Sequence, residues 1–233
     1  MPTIGIVMPT FNQSQFLAAA VATSLPHADK LVIVNDASTD GTREWLDALD
    51  TQGGRIVVVH HEQNIGGTAA RPINTGRAVL GDAFDWHTWH SSDNTYPADW
   101  RDRMLAHAAL DVGAIFSGFG YCSPGSPRET YIFQQYDGKQ IEREACGYGP
   151  SFLIRPAIWT EAGEHHGGSA HDLGHWLRVE EACWRRGLRI VGVDESLCHY
   201  NAHDQRCGIR RPDLYDAREQ LAEARARRAL VTA

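Results

Sequence analysis

Short apolar runs separated by polar turns set the rhythm of the first hundred residues. Ile4 to Met8 is apolar throughout and stops at Pro9. Leu31-Val32-Ile33-Val34 and Arg55-Ile56-Val57-Val58-Val59 repeat the pattern, and a fourth short run leads into Trp89. Runs of this length, uniformly apolar and rich in β-branched residues, predict strands buried on both faces. The stretches between them predict helices: Gln15 to Ser24, rich in Ala with Phe16, Leu17 and Val21; Arg43 to Leu49; and about Thr68 to Leu80. The polar turn Asn35 to Thr42 offers several N-caps for the second helix, and Asn64-Ile65-Gly66-Gly67 is a glycine turn that opens the third.

Alternating strand and helix predicts βαβ units and a mainly parallel sheet. Right-handed crossovers would bring the polar strand ends to one edge. Ligands of open α/β sheets bind at the carboxyl ends of strands. Thr10, Asp36 and Asn64 should therefore face a common cleft, joined by Asp93 from Trp89-His90-Ser91-Ser92-Asp93-Asn94-Thr95-Tyr96-Pro97. The competing reading is that these residues only cap helices. It holds for any one turn, whereas four successive turns favour a site.

Beyond Pro97 the expected order is helix Asp99 to Leu110, strand Val112 to Phe116, then a Gly-, Ser- and Tyr-rich stretch to Gly149 holding a strand-like Tyr131-Ile132-Phe133. A strand at Ser151 to Ile154 and a short helix from Pro156 to Ala162 follow, Pro suiting the first turn. Then come a glycine loop, an amphipathic helix from Asp172 to Arg186, strands at Leu188 to Val193 and Leu197 to Tyr200, and an Ala/Arg helix from Asp213 to Leu230.

Composition narrows the class. With 233 residues, 42% hydrophobic and 22% charged, the chain suits one globular domain. No apolar run reaches the roughly 18 residues a membrane span needs, and Met1-Pro2-Thr3-Ile4 does not begin a secretory signal. Five scattered cysteines fit reduced thiols, so a cytoplasmic location is expected. The net charge of -7 argues against broad nucleic-acid binding. Arg210, Arg211, Arg218, Arg225, Arg227 and Arg228 make the tail basic, either as a solvated helix or as a phosphate-facing patch.

The motifs together resemble the inverting family 2 glycosyltransferases of the GT-A fold, over roughly residues 4 to 205. Val7-Met8-Pro9-Thr10-Phe11-Asn12 is similar to that family's opening strand and P-T-Y-N loop. Val34-Asn35-Asp36-Ala37-Ser38-Thr39-Asp40-Gly41-Thr42 resembles its D-D-G-S-x-D-G-T turn. Asn64 to Arg71 resembles N-x-G-x-x-x-A-R. His90-Ser91-Ser92-Asp93 falls at its D-x-D metal motif, His171-Asp172 at its E-D helix start, and Tyr200-Asn201-Ala202-His203 at its Y-R-x-H. Asn35, His90, Ser92, His171 and Asn201 depart from the pattern. No Q-x-x-R-W segment appears, which speaks against a processive synthase.

The resemblance implies a single GT-A domain: a nucleotide-sugar-binding half over 1–97, an acceptor-side half over 98–205 and a basic helical tail over 206–233. It implies a sugar-nucleotide donor, with UDP expected, held by Pro9, Thr10, Phe11, Asn12, Asp36, Asn64, Gly66, Arg71 and Ser92. Phe11 would pack on the base, Asp36 would accept a base N–H, and Arg71 would meet the phosphates. Mn²⁺ or Mg²⁺ would be held by Asp93 and His203, and Asp172 would be the base that deprotonates an acceptor hydroxyl. The competing readings are an ion pair for Arg71, a surface residue for His203 and an N-cap for Asp172. A saccharide acceptor is favoured. Glycosylation of hydroxylated DNA bases, which needs base flipping, and a non-catalytic sugar-nucleotide-binding relative are the alternatives.

Overall fold

A computed structural model of the chain describes residues 1–64, 68–122, 129–133, 150–166 and 171–201, with residues 222, 223, 226, 227 and 229 of the tail. The nucleotide half runs β1 (Ile4–Thr10), α1 (Ser14–Ser24), β2 (Lys30–Asn35), α2 (Thr42–Asp47), β3 (Ile56–His60), α3 (Ala70–Leu80) and β4 (Trp86–Trp89). The second half adds α4 (Trp100–Leu105), β5 (Val112–Cys122), β6 (Glu129–Phe133), β7 (Phe152–Ile154), α5 (Pro156–Ala162), α6 (His171–Arg185) and β8 (Arg189–Asn201).

These strands form one sheet in the order β3-β2-β1-β4-β7-β5-β6, with β8 also paired to β5. The first four are mutually parallel, as the alternation predicted. β7 runs antiparallel to β4 and β5, β6 antiparallel to β5, and β8 parallel to β5. The chain moves outward from β1 to β3 and then returns to lay β4 on the other side of β1. The strand order therefore reverses between β1 and β4, which opens a crevice at their carboxyl ends.

The unbroken apolar character of β1 follows from helices on both faces. Val7 points into the core that contains Ile73 and Leu80 of α3 and Trp176 and Leu177 of α6. Ile4, Ile6 and Met8 face the opposite core with Leu17 and Val21 of α1 and Trp100 and Met104 of α4. α3 packs so closely on β1 that a Cβ added at Gly76 would lie 2.3 Å from Cγ1 of Val7. Gly76→Ala is thus expected to destabilise the fold by about 1–3 kcal/mol through overpacking, measurable as a lowered midpoint in urea unfolding.

Two expectations are corrected. The strand expected to stop at Phe116 runs on to Cys122, and Leu188 to Val193 and Leu197 to Tyr200 belong to the one strand β8. The polar Asp194-Glu195 that separates them in sequence is a bulge: Val193 pairs with Ser117 and Ser196 with Gly118. Glu195 in this bulge meets Arg103 of α4 at 2.7 Å. Tertiary pairing carries the strand through a polar pair that reads as a turn.

Several histidines were folded into the core. His87 in β4 is fully buried, with both ring nitrogens unpartnered among the described residues and the rings of Trp159 and Phe84 about it. Burial pushes its pKa down to about 3, with Arg77 adding to the effect. Burial also holds His90 well below the usual range and lowers His27. A histidine whose folded pKa is depressed takes up its proton in the unfolded chain first. The stability it preserves is complete above about pH 6.5 and is lost as the pH falls toward 3. His87 alone should cost about 2 kcal/mol between pH 7.5 and 5. Thermal unfolding across that range should show a falling midpoint, and His87→Phe should flatten the slope.

Candidate active site

The loops that leave β1, β2, β3 and β4 meet at the reversal of strand order. Thr10 ends β1, and its carbonyl accepts the main-chain N–H of Asp36 at 2.9 Å, continuing the β1 and β2 pairing past the strand. Asn64 Nδ2 donates to the Asp36 carbonyl at 3.1 Å. Three of the four residues expected at one rim are thereby tied directly together. Thr10 is 3% exposed, and its Oγ1 has no hydrogen-bond partner among the described residues. Pro9 is buried in β1, and Phe11 beside it is 40% exposed, an aromatic face at the edge of the crevice.

The β1 and β2 loops are also stitched to each other. Asn12, at φ 52°, receives the Thr39 N–H on Oδ1 at 2.8 Å and donates its own N–H to Ser38 Oγ at 2.9 Å. Asn35, which departs from the family's acid, is an amide for a visible reason. Its Oδ1 accepts the Ser38 N–H at 3.1 Å, while Nδ2 lies 3.0 Å from Nδ1 of His60. The other nitrogen of His60 meets Asp47 at 3.1 Å. In the neutral ring that donates to Asp47, Nδ1 accepts the Asn35 amide hydrogen, which a carboxylate at position 35 would not have to give.

Asp36 is 5% exposed and lies 2.6 Å from Nδ1 of His61. His61 Nε2 in turn meets Thr75 Oγ1 on α3 at 3.0 Å. Nη1 of Arg71, one turn earlier on α3, lies 3.9 Å from Asp36 Oδ1 and donates to the Gln63 carbonyl at 2.7 Å. The ion pair expected as the competing reading for Arg71 is thus present.

The fourth loop follows β4. His90 N–H donates to the Val7 carbonyl at 2.8 Å, so the pairing with β1 persists one residue beyond the strand. His90 is buried, bonded through Nδ1 to Ser24 Oγ at 2.8 Å and stacked on Tyr96 at 3.6 Å between ring centroids. This position, often an acid in the family, is part of the core here. Ser92 is buried and Asp93 partly exposed. The end of β8 clasps this turn: Asn201 Nδ2 donates to the Asp93 carbonyl at 2.6 Å and Asn201 N to Asn94 Oδ1 at 3.3 Å. Thr95 and His199 exchange main-chain bonds beside it. His203, two residues past Asn201, and Gly66 lie outside the described residues.

Asp172 is the second residue of α6. The next turn of that helix packs on the end of β4: the ring of Trp176 stacks on Trp89 at 4.8 Å, and His175 meets Trp89 edge-on at 6.0 Å. The start of α6 and the Asp93 turn are therefore both anchored at Trp89. Behind them, Asn74 of α3 holds both main-chain groups of His165, donating to its carbonyl and accepting its N–H at 2.8 Å each. Trp86, Trp89, Trp100, Trp159 and Trp176 are buried and belong to the core, which removes them from any acceptor surface. Tyr148 lies outside the described residues.

No group of three or more His, Cys, Asp or Glu stands ready to hold a metal among the described residues. That donor set still suits Mg²⁺ or Mn²⁺ at a phosphate, since these ions take one or two carboxylates and complete their shell with phosphate oxygens and water. Asp93 is a partly exposed carboxylate in the turn after β4. His61, Thr75 and Asn74 also build the site. Each is a single polar side chain whose partners are distant in sequence, so no local pattern marks it.

Comparison with known proteins bears on the family and the fold. The family described as Glycosyl transferase family 2 matches residues 5–159. TuaG of Bacillus subtilis, named for teichuronic acid biosynthesis, is 28% identical over 221 residues, covering 85% of this chain and 79% of TuaG. The succinoglycan biosynthesis protein ExoA of Rhizobium meliloti is 32% identical over 204 residues, covering 83% of this chain and 54% of ExoA. Among solved structures, S. aureus TarS 1–349 in complex with UDP-GlcNAc matches with a TM-score of 0.68 at 14% identity, over 88% of this chain and 60% of TarS 1–349. The mannosyltransferase PcManGT from Pyrobaculum calidifontis, in complex with GDP-Man and Mn²⁺, matches at 0.64 and 13% identity, over 90% and 60% of the two chains. The chain thus spans little more than half the length of some relatives it matches.

Proposed function

The chain belongs to glycosyl transferase family 2, with the GT-A arrangement of its sheet, and from that premise we propose that it moves a sugar from a nucleoside diphosphate to an acceptor hydroxyl with inversion. The observation that carries this reading is the convergence of the four loops at the β1/β4 reversal, with Asp36 and Asp93 in two of them. The exposed face of Phe11 packs on the nucleobase, and Asp36 accepts its ring N–H. Thr10 and Asn64 hold the Asp36 main chain, and the partly exposed Arg71 faces the diphosphate. Asp93, backed by Ser92 and by His203 farther along, would hold Mn²⁺ or Mg²⁺. A bound divalent ion supplies positive charge where the leaving diphosphate gains negative charge.

Asp172 accepts the proton of the acceptor hydroxyl while that oxygen attacks the anomeric carbon from the face opposite the diphosphate. One displacement needs one base and leaves the anomeric centre inverted. A saccharide acceptor is favoured by the relatives named for teichuronic acid and succinoglycan biosynthesis. The net charge of -7 gives DNA little support, and Arg227 of the basic tail is paired with Glu181 of α6 and with Glu223. Among the described residues no helix is long and apolar enough to cross a membrane. Cys183 and Cys198 are buried and not joined in a disulfide, in keeping with a reducing compartment such as the cytoplasm.

The test is an assay of the full chain with Mn²⁺ against a panel of UDP- and GDP-sugars, offering oligosaccharide primers or hydroxymethylated duplex DNA. The expected result is nucleotide release coupled to one inverted anomer on a saccharide, read by proton NMR. A retained anomer would sink the single-displacement mechanism, and turnover on DNA alone would replace the acceptor. Binding of a sugar nucleotide without any turnover would mark a non-catalytic relative.

A further inference from the structure

We propose that His61 is a positioning residue that decides which nucleobase the site accepts; this rests on the reading of Asp36 as the carboxylate that meets the base. An ionised carboxylate only accepts hydrogen bonds, so the 2.6 Å contact between Asp36 Oδ1 and His61 requires the hydrogen on Nδ1. In the neutral ring Nε2 is then an acceptor, and the Thr75 hydroxyl 3.0 Å away donates to it. The order Thr75 to His61 to Asp36 fixes the tautomer and the ring at once. It joins helix α3 to the exits of β3 and β2 through one line of bonds.

Asp36 is held at every other point as well. Its N–H reaches Thr10, and its carbonyl receives Asn64. The carboxylate cannot turn without breaking the His61 bond in a site that is nearly closed to water. Oδ1 is occupied by His61 and lies 3.9 Å from Arg71, which leaves Oδ2 for the base. A single oxygen matches a base with one ring N–H on its pairing edge, as in uracil or thymine. Guanine presents two adjacent N–H groups, which a carboxylate satisfies only with both oxygens. Cytosine presents a lone pair at N3, which a fixed carboxylate repels. The site therefore selects a uridine-type diphosphate against guanosine and cytidine diphosphates.

Calorimetric binding of UDP, GDP and CDP to the full chain with Mn²⁺ tests this. Wild type should prefer UDP, and H61L should cut that preference about tenfold, the scale of a hydrogen bond to a charged group. H61N should restore most of it, because its amide places an N–H donor near the position of Nδ1. T75V should fall between them. General loss of structure would weaken all three nucleotides alike and would not be rescued by asparagine. Unchanged ratios in H61L, with D36N collapsing them, would overturn the role of His61 and leave Asp36 as the base contact. Unchanged ratios in D36N, or no UDP preference in wild type, would overturn the base contact and this proposal together. Should circular dichroism show H61L unfolded, unchanged ratios in T75V would overturn it instead.

Discussion

Asp93→Ala is expected to lower Mn²⁺-dependent sugar transfer by about a thousandfold or more, roughly 4 kcal/mol of transition-state stabilisation. The leaving diphosphate gains charge as the glycosidic bond breaks, and positive charge is needed to receive it. Asp93 lies in the turn after β4, at the reversal of strand order, where it can bring a hard divalent ion to the phosphates. The turn should survive the substitution. Its tie to β8 runs through the Asp93 carbonyl and Asn201, which alanine retains. Titration with Mn²⁺ should therefore show nucleotide affinity that no longer rises with the metal, in a variant whose fold is checked by circular dichroism. A variant that still turns over at the wild-type rate would remove Asp93 from the mechanism.

Asp172→Asn is expected to reduce turnover by about 10²–10⁴-fold, the usual contribution of a positioned general base. Asp172 lies inside the first turn of α6 rather than at its N-cap, and asparagine is close in size, so a purely structural Asp172 would be replaced at little cost. The substitution separates the two roles open to this residue. Affinity for the sugar nucleotide should be unchanged, because the donor residues lie in the loops of the first four strands. The loss should appear in kcat. Loss of donor binding with kcat retained would instead assign Asp172 to the nucleotide.

The family was legible because its signals are local. A buried parallel strand announces itself as an unbroken apolar run, and the turn after it by Asn, Asp and Gly within a few residues. Thr10, Asp36, Asn64 and Asp93 were found that way, each beside its own strand. Aromatic residues carry no such local signal: only packing shows that Trp159 and Trp176 gather around Trp89 in the core.

From the chain alone came the order of strands and helices, the parallel half of the sheet and the turn residues at its carboxyl edge, because each depends on neighbours a few positions apart. Only the folded chain settled three things. Asp194-Glu195 is a bulge within a long strand, Asn201 clasps the Asp93 turn across the sheet, and His61 holds Asp36 against Thr75. Those outcomes turn on partners up to 108 positions away, and a buried polar atom takes whichever donor or acceptor packing brings within reach.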